Sequence, residues 1–115
     1  MIEKNIPFEV KKCLIEYNIR QYPVDLLRLA RNAGIKIVKD ESVRALALNE
    51  RGKCITDGRE WIIVYDGNQP PEQIRFTVAH ELGHIFLGHR EEHISFVKRI
   101  ESQADAFAFE LLNVR

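Results

Sequence analysis

A chain of 115 residues, 45% hydrophobic and 30% charged, is large enough for one cored domain, residues 1–115, and too small for two. Its 17 basic residues balance 17 acidic ones without a basic run, which argues against direct nucleic-acid binding through phosphates. The opening from Met1 to Pro7 has no signal-like apolar run, and nowhere do eighteen apolar residues follow one another. A cytoplasmic protein without a membrane span is therefore expected.

The stretch from Pro7 to about Asn18 reads as an amphipathic helix with Phe8, Val10, Leu14, Ile15 and Tyr17 as its apolar residues. Pro23 is placed to open a second helix, whose core side is Val24, Leu26, Leu27, Leu29 and Ala30. Gly34 ends that helix, and Ile35 to Val38 alternates as a short strand. Three further strand-like pieces follow: Arg44 to Leu48, Lys53 to Thr56 and Glu60 to Tyr65. Turn signals at Asn49 to Gly52 and at Asp57-Gly58 make a small antiparallel β-meander the expected sheet. Pro70-Pro71 then leads into a long helix ending near Gly88, and a last helix runs from about Phe96 to Asn113. This order of helices, meander and helices is an α+β architecture. Cys13 and Cys54 lack partners at metal-ligand spacing and read as reduced packing thiols.

The third helix carries His80-Glu81-Leu82-Gly83-His84, an HExxH run. Residues four apart on a helix differ by about 40°, so His80 and His84 project from one side. Val78, Leu82 and Ile85 lie opposite, and apart from Glu81 no charge occurs between Phe76 and Gly88. A helix so apolar away from its motif is expected to be buried. Buried imidazoles and a carboxylate cost several kcal/mol, at roughly the polar-transfer scale, unless a cation compensates them. Imidazole and carboxylate ligands suit Zn2+, with a fourth position left open. Glu81, beside that position, is placed to take a proton from the attacking water and pass it to the leaving amine.

Two patterns compete for the third ligand. A third histidine six residues after His84 would fall at Arg90, and His89 arrives one residue early. On a continued helix His89 would point about 140° away from His84. Glu101 and Asp105 instead share one face of the last helix with Ala104, Ala108 and Leu112. Glu101 is therefore the expected metal ligand, and Asp105 the acceptor for a ligand histidine's other N–H. Ala104 and Ala108, opposite Gly83, would let the two helices approach closely. His89 and His93, on either side of Arg90, Glu91 and Glu92, read as solvated connector residues. Tyr65 is a minor candidate for an oxyanion donor.

From Arg75 to His84 and from Glu101 to Leu112 the chain resembles the ImmA/IrrE family of zinc metallopeptidases. The shared pattern is a phenylalanine-threonine lead into AHELGH, then ExxADxFAxxLL. The resemblance implies a zincin-like fold, His80, His84 and Glu101 as zinc ligands, and Glu81 as general base. It implies as substrate a helix-turn-helix repressor, whose cleavage relieves repression of mobile-element or stress genes. The family's usual methionine-proline pair is replaced by Asn113-Val114-Arg115, and the resemblance would make this a minimal peptidase module. A different class of function, a zinc-stabilised binding module that antagonises a repressor or toxin without cutting it, has no use for Glu81.

Overall fold

The computed structural model describes residues 4–40, 46–47, 49–89 and 97–115. Helix α1, Ile6–Glu16, begins where the Asn5 side chain accepts from the Phe8 N–H at 3.1 Å, with Pro7 in its first turn. Val10, Cys13 and Leu14 form its buried face, which packs on the last helix. Phe8 and Ile15, two of the expected apolar residues of this amphipathic helix, are exposed. Helix α2 is shorter than expected, Leu26–Asn32, because Asp25 rather than Pro23 starts it by accepting from the Arg28 N–H. Val24, Leu26, Leu29 and Ala30 are buried, whereas Leu27 points outward.

Three strands follow: β1 (Ile35–Asp40), β2 (Gly52–Thr56) and β3 (Trp61–Asp66). Their order is β1-β3-β2, with β2 antiparallel and β1 parallel to β3. The sheet is thus mixed, not the antiparallel meander expected from the turn signals. Asp57 closes the β2–β3 hairpin by accepting from the Arg59 and Glu60 N–H groups. That hairpin occupies one side of β3, and β1 takes the other, pairing Ile37 with Ile63. The expected strand from Arg44 to Leu48 lies mostly outside the described residues; Leu46 and Ala47 belong to no strand.

Helix α3, Pro71–Phe86, crosses the sheet and contacts β2 and β3. Its partner α4, Val97–Leu112, lies against both α3 and α1. The expected Phe96 start of α4 is outside the described residues. The core gathers where these layers meet: Leu29, Ile63, Ala79, Leu82, Phe107, Ala108 and Leu111 are fully buried. Two glycines set the separations that matter. A Cβ at Gly83 would stand 3.1 Å from the Phe107 Cβ and 3.2 Å from the Ala104 carbonyl oxygen. At Gly52 it would meet the Thr77 methyl at 2.6 Å, so β2 starts close against α3 beside Glu81. Among the described residues no helix is long and apolar enough to cross a membrane.

Burial pushes the Cys13 thiol from 9.0 up to about 12, with neighbouring Glu16 adding to the effect. The raised value stabilises the fold fully below the unfolded thiol's pKa. That contribution is lost as pH rises through the folded value, so the window is about 9 to 12. The urea midpoint is therefore expected to fall between pH 8 and pH 10.5, and to fall less in Cys13→Ala. Equal pH dependence in the two proteins would sink this assignment.

Candidate metal centre and its groove

The helical spacing of four brings His80 and His84 side by side, and α4 delivers Glu101 to both. Glu101 Oε2 lies 2.7 Å from His80 Nε2 and 3.1 Å from His84 Nε2, and the two Nε2 atoms are 3.1 Å apart. On the far side of its ring, His80 Nδ1 is 2.7 Å from Asp105 Oδ1. An ionised Asp105 can only accept, so the His80 proton sits on Nδ1. The His80 Nε2 lone pair then faces a carboxylate oxygen and a second imidazole. Three lone-pair donors converging on one point fit a cation, which His80, His84 and Glu101 could hold. Ligands at zinc bond lengths in a tetrahedron stand roughly 3.3 Å apart, close to the spacing already present.

Glu81 is also near, its carboxylate within 4.8 Å of both imidazoles. Glu101 is nearer, so the candidate centre draws on the pair of helices and not on the HExxH run alone. Glu81 is buried, and burial raises its carboxyl pKa. A proton added to His80 would act in the opposite direction, as does a hydrogen bond from the Cys54 thiol. Burial likewise lowers the His84 pKa, and a proton added to neighbouring His80 would lower it further. A neutral His84 keeps its lone pair available for a metal.

The setting is more open than the sequence suggested. The His80 and His84 side chains are 17% and 13% exposed, and those of Glu101 and Asp105 are 53% and 60% exposed. Glu101 and Asp105 therefore stand at the rim of the α3–α4 seam, while Ala104 and Ala108 fill its interior. Two adjoining hollows of about 350 and 290 Å³ meet at Glu81 and Glu101. Both are walled on one side by Glu50 and Gly52. Together they form a groove along the start of β2. Cys54, which the sequence marks only as a packing residue, lines this groove, its thiol pushed up to about 12 by burial and then by Glu81. A larger cavity of about 460 Å³ holds Tyr65 with Leu26, Ile74 and Val78, but none of the metal-centre residues. That placement takes Tyr65 away from the groove.

His89 is where the sequence reading fails. It is buried, not a solvated connector, and its Nδ1 lies 3.0 Å from His84 Nδ1. Gly88, at φ 76°, ends α3 in the left-handed region. The Gly88 N–H then donates to the Ile85 carbonyl and the His89 N–H to the His84 carbonyl. This pair of bonds is a Schellman turn, which reverses the chain and folds His89 back under His84. The glycine one residue before His89 was the signal available. His93, the other histidine of the connector, is outside the described residues.

A search among curated proteins returned no match. The family model for the IrrE N-terminal-like domain, an M78 peptidase family, matches residues 30–112. That span runs from the end of α2 through the groove strand and both metal-centre helices. The chain therefore belongs to the IrrE N-terminal-like family of M78 peptidases and is a metallopeptidase-type domain.

Proposed function

We propose that this chain is a zinc-dependent endopeptidase that cuts a helix-turn-helix transcriptional repressor in the cytoplasm, relieving repression of mobile-element or stress genes. The observation that carries the reading is the meeting of His80 Nε2, His84 Nε2 and Glu101 Oε2 beside buried Glu81 in an open groove. His80, His84 and Glu101 would hold the zinc, which would supply Lewis acidity toward a water and the scissile carbonyl. Glu81, beside both imidazoles, takes the proton of the attacking water and returns it to the leaving amine. Asp105 holds the His80 ring by accepting its Nδ1 proton.

The groove supports a protein substrate in extended form. Among the described residues β2 has a ladder with β3 only, and the sheet edge nearest the site is where a substrate strand would add by β-augmentation. The repressor as substrate rests on the likeness to the ImmA/IrrE peptidases and on the neutral charge balance, which favours acting through a protein over contacting DNA.

The test is incubation with the purified helix-turn-helix regulator encoded nearest to this chain, followed by mass spectrometry of fragments. One or a few cuts are expected, lost on chelation and restored by zinc. No metal-dependent fragment from any of several such regulators would overturn the substrate assignment.

A further inference from the structure

Thr77, Glu81 and His89 are the buried polar residues of the described structure. The Thr77 hydroxyl donates to the Gln69 side-chain carbonyl, and Glu81 faces the groove. His89 has no part in the proposed reaction, yet it lies against a residue of the metal centre. Its Nδ1 is 3.0 Å from His84 Nδ1, and its Nε2 is 2.7 Å from Gln103 Oε1.

The proton positions along this row follow from the end points. Gln103 Oε1 is a carbonyl oxygen and accepts only, so His89 carries its proton on Nε2. A neutral His89 then has a lone pair at Nδ1, which accepts from His84 Nδ1–H. That leaves His84 Nε2 unprotonated and turned toward His80 and Glu101.

We infer that His89, itself oriented by Gln103, is a positioning residue that fixes His84 in the tautomer and ring orientation a metal ligand requires. This rests on His84 being a metal ligand, as proposed above. A ligating histidine usually gives its second N–H to a carboxylate, a carbonyl or water. Here the two histidines are held differently: His80 by the exposed carboxylate of Asp105, His84 by the buried imidazole of His89, which Gln103 meets on its other side. The Schellman turn supplies the means, because its backbone bond from His89 to the His84 carbonyl sets the two rings at one level. The contact that is often apolar in such a turn is here a hydrogen bond between rings.

The test has two parts. Nitrogen-15 NMR of the zinc-loaded protein, labelled in its imidazoles, should show protons on His84 Nδ1 and His89 Nε2. A proton on His89 Nδ1 instead would overturn the inference. Zinc affinity is then measured by competition with a chromophoric chelator. His89→Ala is expected to weaken it about 10- to 100-fold. His89→Gln, whose side-chain carbonyl can accept from His84, should recover most of the loss, and Gln103→Ala should fall between. A His89→Ala protein that melts earlier but binds zinc as the parent does would reduce His89 to a helix-end packing residue and overturn the inference. Should His89→Ala not fold, unchanged affinity in Gln103→Ala together with the wrong His89 tautomer would overturn it equally. Failure of the parent protein to bind zinc stoichiometrically would sink the metal reading itself, and this inference with it.

Discussion

Glu81→Gln is expected to retain stoichiometric zinc and to lose cleavage by about 10²- to 10⁴-fold, the usual contribution of a positioned general base. The substitution keeps the side chain's size and removes only its capacity to take a proton. Glu81 is buried in the α3 face that meets β2, with its Cγ 3.7 Å from where a Gly52 Cβ would stand, so shape matters at this position. Gln fills the same space, which makes fold loss a poor explanation for lost activity. The variant also separates two classes of function. A peptidase would still bind its regulator but leave it intact and active, whereas a binding module would antagonise the regulator undiminished. Fragment yield and regulator binding, measured on the same preparation, decide between them. Full cleavage by Glu81→Gln would remove Glu81 from the mechanism.

Gly83→Val should be the most damaging substitution to the frame of the centre. Even one added carbon would lie 3.1 to 3.3 Å from the Phe107 Cβ and the Ala104 carbonyl oxygen and Cα. Two of these three neighbours are backbone and cannot swing aside. Valine adds two further methyl groups, so α4 must move away from α3. Overpacking of this kind costs about 1–3 kcal/mol, a large part of the ~5–15 kcal/mol that holds a domain together. The melting temperature is expected to drop by ~5–15 °C. The displacement also carries Glu101 and Asp105 away from His80, so zinc affinity should fall along with stability. Gly83→Ala is the graded control, with smaller losses in both. A Gly83→Val protein with parental melting and zinc binding would show that the seam is looser than its contacts imply.

The parts of the molecule legible in the sequence are those fixed by short-range spacing. A separation of four puts His80 beside His84 and Glu101 beside Asp105, and no tertiary contact is needed to know it. Small residues at Gly83, Ala104 and Ala108 announced that the two helices meet there. What was not legible depends on how elements sit around one another. Alternation marks β1 as a strand but carries no information on which neighbour it chooses, and β1 lies parallel to β3 beyond the reach of any hairpin rule. Phe8, Ile15 and Leu27 fit a helical stripe yet are exposed, because the layers cover only part of each stripe. Glu101 and Asp105 stand at the rim, since the helix wheel gives direction but not depth. His89 reads as a solvated connector residue because a helix ending near Gly88 leaves the next residue's direction open, and the positive φ of Gly88 turns the chain back.

The division of the centre between two helices has a mechanical side. His84 and Glu101 are 17 positions apart, and an ion gripping both clasps the intervening chain into a closed loop. Such a clasp removes loop freedom from every state in which it holds, much as a covalent tie would. At a free ion concentration of 100 times Kd it adds about 2.7 kcal/mol to folding. An ion so held would be a rivet as well as a reagent, and metal supply would govern the survival of this domain as well as any catalysis.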